Sequence, residues 1–316
     1  MVKKIKKLRV GVVGTGHLGA FHARVYSTLA QRRKELVLSC VCDVREDMAK
    51  TIAEQYGTAY YTDYRSMINS VDAVSIVVPT SKHYEVAKEF IKAGKHVLIE
   101  KPITKKLNEA DELIALAEKK GVIIQVGHIE RFNSAVRAIE PYLRKPTFIE
   151  CNRLGSIKAK QRIKDVGVVL DLMIHDIDII LSLVNSPVKH IEAFGQSTVS
   201  KHEDMANVRL TFKNDIIADI TASRITKEEI RSIRIFQENS YIFLDYKKCE
   251  AFIFRKTPHG LKKTKININK KDALSVELSA FINCILKGKR PLVSGIEGRQ
   301  ALKVGLDILE QIKNNS

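Results

Sequence analysis

The sequence predicts an α/β chain in two parts, a parallel sheet covered by helices over residues 1–126 and an α+β domain with a largely antiparallel open sheet over residues 127–316. Three observations predict it. Short apolar, β-branched runs alternate with amphipathic segments through the first third, the pattern of strands buried on both faces and joined by crossover helices. A glycine-rich turn, Gly14-Thr15-Gly16-His17-Leu18-Gly19, joins the first run to the first amphipathic segment. Beyond Gly127 the runs give way to strand-like alternation broken by hairpin signals.

In chain order, strands are expected at residues 8–13, 36–43, 73–79, 96–99 and 122–126, and helices at 18–34, 45–55, 83–93 and 108–120. Gly94 and Gly121 supply helix stops and Asn108 a helix start. In the second part, alternation runs from Val188 to Ile268, with Lys213-Asn214-Asp215 as a hairpin turn and Asn239-Ser240 between two further strands. Helices are expected at 133–143, 170–183, 273–286 and 296–312, and no repeat or flexible linker separates the parts.

Composition narrows the function classes. With 45% hydrophobic residues the chain reads as an ordinary globular protein. No apolar run approaches the roughly 18 residues that a membrane helix needs. The basic start (Lys3, Lys4, Lys6, Lys7) is interrupted at once by Arg9, Gly11 and Gly14, so it reads as a tag before a strand rather than a signal peptide, which favours the cytoplasm. The five cysteines are scattered, with Cys40 and Cys42 on one face of a strand, so reduced, mostly buried thiols are expected and no metal site. The net charge of +17 is spread along the chain without a nucleic-acid-binding signature. It reads mainly as solvated surface, with a share open to an anionic small substrate.

The glycine turn carries the first chemical reading. Gly14 permits the tight turn, Gly16 lets the backbone approach a pyrophosphate, and Gly19 lets helix and strand pack closely, with His17 and Leu18 opening the helix whose N–H groups face the phosphates. Asp43, ending the second strand, suits the hydroxyls of a ribose and opposes a 2′-phosphate, so NAD is expected ahead of NADP. Arg45 tempers that preference, since an Arg there can serve a 2′-phosphate. Pro79, Thr80 and His83 follow the strand at 73–79, and Glu100-Lys101-Pro102 the strand at 96–99. Both groups lie at carboxyl ends of parallel strands, where such sheets bind ligands, and the Lys–Pro bond can be cis. Much later, Asp171 and His175 stand four apart on an otherwise apolar helix and so share a face. A His there suits proton abstraction and an Asp one turn away can orient it, although a purely structural pair, or Asp176 and Asp178 as partners, fits the spacing too.

Taken together, these features resemble the glucose–fructose oxidoreductase/inositol dehydrogenase (Gfo/Idh/MocA) family over nearly the whole chain. The likeness rests on the glycine turn, Asp43, Glu100-Lys101-Pro102, Val126-Gly127-His128 with Arg131-Phe132, and the Asp171/His175 helix. Val166-Gly167, where many members have paired glycines, and Pro79-Thr80, where relatives often place Asn after the Pro, depart from it. The resemblance implies a catalytic group of Lys101, Asp171 and His175, and homodimers or homotetramers. The segments 127–133, 170–178 and Ser223-Arg224-Ile225-Thr226 look most like the UDP-N-acetylglucosamine 3-dehydrogenases of lipid A synthesis. On that likeness His128 joins the substrate site, and Arg131, Arg153, Lys158, Lys160, Arg162 and Arg224 become candidate partners of a diphosphate. Either His175 or Lys101 can serve as the base that takes the hydroxyl proton while the other stabilises the oxygen. A dehydrogenase of another sugar or polyol such as inositol would share every catalytic residue. A non-catalytic Rossmann-fold binding protein would keep the glycines without needing Lys101 and His175.

Overall fold

Crossover helices and parallel strands build the first of two compact units; the computed structural model describes residues 7–156 and 166–315. This unit gathers the chain up to His128 with Leu274–Arg299. Its strands are β1 (Leu8–Val13), β2 (Leu36–Cys42), β3 (Ala59–Tyr61), β4 (Ala73–Ile76), β5 (His96–Glu100) and β6 (Ile124–Gly127). They pair in the order β3-β2-β1-β4-β5-β6, all parallel. The helices are α1 (His17–Arg32), α2 (Glu46–Tyr56), the single turn α3 (Tyr64–Met67), α4 (Thr80–Lys92) and α5 (Leu107–Lys120). Val10, Val12, Val74, Ile76, Leu98 and Ile99 are fully buried, which is why these strands read as continuous apolar runs. The chain leaves β1 in one direction along the sheet and β4 in the other, so a crevice opens beyond their carboxyl ends, where the glycine turn lies.

The later segment Leu274–Arg299 belongs to this unit rather than to the domain that follows residue 126 in sequence. It carries most of α8 (Ala273–Lys287) and the first turn of α9 (Gly295–Asn314). The reason is packing: Gln125 Nε2 donates to the Glu277 carbonyl at 3.2 Å, and a Cβ on Gly298 would sit 2.6 Å from Val126. Such contacts between distant stretches leave no local trace in sequence.

The second unit, Ile129–Ala273 and the chain from Gln300 onward, is built on eight strands. These are β7 (Pro146–Leu154), β8 (Val188–Gln196), β9 (Met205–Phe212), β10 (Ile217–Ser223), β11 (Ile230–Gln237), β12 (Ser240–Asp245), β13 (Glu250–Thr257) and β14 (Gly260–Ile266). Their order is β14-β13-β12-β11-β7-β10-β9-β8, antiparallel throughout except for β7 with β10. Alternate residues such as Ala206, Val208, Leu210 and Phe212 of β9 face a core shared with α6 (Ser134–Ile139), α7 (Ile174–Val184) and α9. The expected helix at 133–143 divides at Pro141, where α6 passes into a tight turn over Glu140–Tyr142. The hairpin at Lys213-Asn214-Asp215 forms as expected, with Asp215 at φ 61°. The outer face carries a stack of Phe148, Phe236, Tyr241 and Phe254, and edge strand β14 carries Lys262, Lys263 and Lys265, charges that discourage pairing with another chain.

The central strand β7 has no counterpart in the sequence reading. Its inward positions are Ile149, Cys151 and Arg153, and the buried arginine breaks the apolar alternation that marks a strand. Cys40, Cys42 and Cys151 are buried and free, and burial pushes the thiols of Cys40 and Cys42 up to about 12. Among the described residues no helix is long and apolar enough to cross a membrane, and no group of three or more His, Cys, Asp or Glu could hold a metal ion.

Candidate active site

In the first unit the glycine turn divides its labour. A Cβ on Gly14, at φ 91°, would lie 2.3 Å from the Val77 carbonyl oxygen, and one on Gly19 would lie 1.8 Å from that of Gly14, so both positions are fixed by packing. A Cβ on Gly16 would meet no protein atom within 4 Å. Packing therefore does not demand glycine at Gly16, and the open space there leaves room for a ligand to approach the backbone closely. The start of α1 agrees with that: no side chain caps it and no acidic residue lies in its first turn, so its N–H groups and positive dipole end face outward. Leu18 is half-buried, and His17 stands exposed, edge-on to Phe21. These residues fit a dinucleotide pyrophosphate.

Asp43 follows β2 at 9% exposure. Its Oδ2 accepts from the Thr15 N–H at 2.8 Å and the Thr15 hydroxyl at 3.2 Å, and its Oδ1 from the Arg45 N–H at 3.0 Å. The carboxylate is thus fixed beside the glycine turn by Thr15, a residue to which the sequence reading gave no role. Arg45 is exposed, with its Nε 3.6 Å from Asp43.

Beyond β4, Pro79 and Thr80 open α4, with Pro79 exposed and Thr80 half-buried. His83 is put to a different use from the expected cofactor contact. It is 1% exposed, and its ring nitrogens lie 2.8 Å from the Pro102 carbonyl and 2.9 Å from that of Val78. Burial pushes its imidazole below the usual range against the pull of those carbonyls. His83 braces the loop after β4 against the turn after β5. Glu100 also points inward, 3.2 Å from His22 Nε2, and the peptide bond that follows Lys101 is cis. Lys101 itself is half-buried.

In the second unit, a turn with i→i+5 bonding, Val169–Met173, leads into α7 and carries Asp171; the Ile174 N–H reaches the Val169 carbonyl. Such insertions recur at functional sites because they re-aim a side chain within a helix. Asp171 and His175 are both half-buried here. Glu203, which the sequence reading passed over, closes the start of this segment. Its carboxylate accepts from the Val169 N–H at 3.1 Å and its carbonyl from the Val168 N–H at 3.0 Å. A Cβ on Gly167 would lie within about 2 Å of that carboxylate, so the glycine is required by the cap.

The candidate phosphate partners separate by their neighbours. Arg153 is 5% exposed and donates to Asp176 at 2.7 and 2.9 Å and to Glu130 at 3.1 Å, with Tyr246 against its face. Burial opposes its charge, but Asp176 and Glu130 together hold the guanidinium well above its usual range. Against the expectation that it meets a phosphate, three of its N–H groups are given to these two carboxylates. Arg131 lies 3.4 Å from Asp178. Arg224 donates to the Val166 carbonyl at 2.9 Å, and among the described residues no carboxylate pairs with it. His128 is buried at the end of the first unit. Lys158, Lys160 and Arg162 lie outside the described residues, as does the basic stretch before Lys7.

The fold and the glycine turn define a Rossmann-type nucleotide-binding protein, and comparison with known proteins makes it an oxidoreductase. Residues 8–128 match the oxidoreductase family with the NAD-binding Rossmann fold, and residues 144–242 match the C-terminal domain of the same family. The chain belongs to the Gfo/Idh/MocA family of oxidoreductases. It is 34% identical over 312 residues to the UDP-N-acetylglucosamine 3-dehydrogenase of Acidithiobacillus ferrooxidans, covering 95% of this chain and 96% of that one. A solved structure of that enzyme superposes with a TM-score of 0.91 at 32% identity, over 98% of both chains. The myo-inositol 2-dehydrogenase of Thermotoga maritima is 27% identical over 318 residues, covering 94% of each chain.

Proposed function

We propose that this enzyme oxidises the 3-hydroxyl of UDP-N-acetylglucosamine to a ketone with NAD, in the cytoplasm and on the route to lipid A, as a homodimer or homotetramer. The observation that carries the reading is the full-length likeness to a dehydrogenase of that substrate. Arg224 adds support, as a nearly buried guanidinium with no carboxylate partner among the described residues. Pairing with a diphosphate would give it charge-assisted hydrogen bonds, stronger than neutral ones.

NAD would be held by Gly14, Gly16 and Gly19 with the start of α1, and by Asp43 on the adenosine ribose; bound, it supplies the acceptor for the hydride. The chain's own contribution is proton handling at the sugar oxygen. His175, oriented by Asp171, takes the hydroxyl proton in this reading, and the Lys101 ammonium stabilises the negative charge that develops on the same oxygen. With its carboxylate fixed by Thr15 and the Arg45 N–H, Asp43 suits a diol and repels a phosphate. NAD should therefore bind more tightly than NADP, and Asp43→Ala should narrow that gap in cofactor titrations. Equal or tighter binding of NADP by the parent enzyme would overturn the preference.

The substrate is tested by comparing UDP-N-acetylglucosamine, free N-acetylglucosamine and myo-inositol as reductants of NAD under one salt condition. The nucleotide sugar should turn over fastest, and its KM should rise with salt, since screening at 0.1 M acts within about 10 Å. Faster turnover of the free sugar or the polyol would reject the nucleotide sugar and leave the dehydrogenase assignment standing.

A further inference from the structure

Three elements of the first unit converge behind Lys101 on one buried carboxylate. Glu100 ends β5, is 9% exposed, and directs its side chain into the protein. From α1, His22, with no exposed surface at all, brings Nε2 to 3.2 Å from Glu100 Oε1. From β6, Gly127 stands in register with Glu100, and its missing side chain is the space the carboxylate occupies. A Cβ on Gly127 would lie 2.8 Å from the carboxyl carbon and from Oε1. The other oxygen, Oε2, accepts from the Lys101 backbone N–H at 3.2 Å. One residue further on, the Pro102 carbonyl is held by His83 at 2.8 Å. The backbone of Lys101 is therefore gripped on both sides, by a carboxylate before it and an imidazole after it.

A buried carboxylate is costly unless it is paired. Burial alone would raise the Glu100 carboxyl; His22, and after it the charge of Lys101, more than offset this and hold it below the usual range, so it stays ionised. Three positions are thus committed to keeping one anion beneath one lysine. All three are buried, which favours a supporting role over a contact surface for a cofactor.

We propose that His22, Glu100 and Gly127 are positioning residues that fix Lys101 for catalysis, and that Glu100 acts through Lys101 rather than by touching cofactor or substrate. The inference rests on the reading of Lys101 as a catalytic residue. Loosening the grip leaves the pyrophosphate site intact but lets the ammonium drift from the oxygen it must stabilise, and displacements on the scale of 1 Å cost up to about 100-fold in rate.

The test measures kcat, KM and NAD binding for Glu100→Gln, His22→Phe, His22→Gln and Gly127→Ala, with Lys101→Met alongside, using whichever of UDP-N-acetylglucosamine and myo-inositol the parent turns over. Glu100→Gln, His22→Phe and Gly127→Ala should lower kcat by about 10-fold or more, with NAD affinity and sugar KM within about 3-fold of the parent. His22→Gln, which places an amide N–H where the imidazole stood, should recover most of the loss seen in His22→Phe. A merely structural role would lower thermal stability and leave kcat per folded site unchanged. If Gly127→Ala does not fold, Glu100→Gln, which preserves shape, still decides. Parent-like kcat in folded Glu100→Gln and His22→Phe, with Lys101→Met impaired, overturns the positioning role alone. Loss of NAD affinity in Glu100→Gln without loss of kcat overturns it in favour of a cofactor contact. Parent-like turnover in Lys101→Met overturns the catalytic reading of Lys101, and this inference with it.

Discussion

Lys101→Met and His175→Asn should each lower turnover by about 100-fold or more, the usual scale for a positioned acid–base group. The two residues come from different parts of the chain, Lys101 from the turn after β5 and His175 from the first turn of α7. Their proposed tasks differ: one stabilises charge on the sugar oxygen and the other takes its proton. NAD binding should survive in both variants, because the glycine turn and Asp43 are left untouched. Binding should be measured directly, by quenching or calorimetry, so that loss of chemistry is separated from loss of cofactor. Near-parent turnover in both variants would show that these roles are wrong.

Arg153→Met should cost about 3–5 kcal/mol of folding stability, the scale for removing one partner of a buried ion pair. The guanidinium is held in the core by Asp176 and Glu130, both buried. Burial already pushes the Asp176 carboxyl above its usual range with Arg153 in place. Without the arginine, two carboxylates would share a buried site without their ion-pair partner, and of the two Asp176 would keep only the more distant charge of Arg231. Asp176 directly follows His175 on α7, so the loss also frees the helix that carries the proposed base. Adding Asp176→Leu should return part of the stability, since apolar replacement of a buried pair is far less costly than breaking it. Denaturant unfolding measures both. A loss below about 1 kcal/mol in Arg153→Met would mean that water or rearrangement satisfies the carboxylates.

What could be read from sequence was local, and what could not was long-range. The glycine turn, Asp43, the Glu100-Lys101-Pro102 turn and the Asp171/His175 spacing each carry their meaning within a few residues, and the sheet of the first unit follows from its apolar runs. By contrast, the use of Arg153 depends on Asp176 and Glu130, each 23 positions away. A charged residue within β7 hid the central strand of the second sheet. Gly167 looked like a shortened glycine pair, yet its bareness is explained by Glu203, which caps the Asp171 segment from 34 residues later at Val169. His83 and Glu100 sit beside the expected cofactor crevice in sequence, but their side chains turn inward to brace Lys101 and Pro102. Inward and outward placement at a strand's end is decided by such partners, and they leave no periodic signal.

The most direct measurement uses UDP-N-acetylglucosamine carrying deuterium at carbon 3, incubated with the enzyme and NAD, followed by mass analysis of the reduced cofactor. Oxidation at the 3-hydroxyl delivers that deuterium to the nicotinamide, so the reduced cofactor should be one mass unit heavier than with unlabelled sugar. Unlabelled reduced cofactor, or no reduction under conditions where a free sugar or myo-inositol is oxidised, would contradict the account.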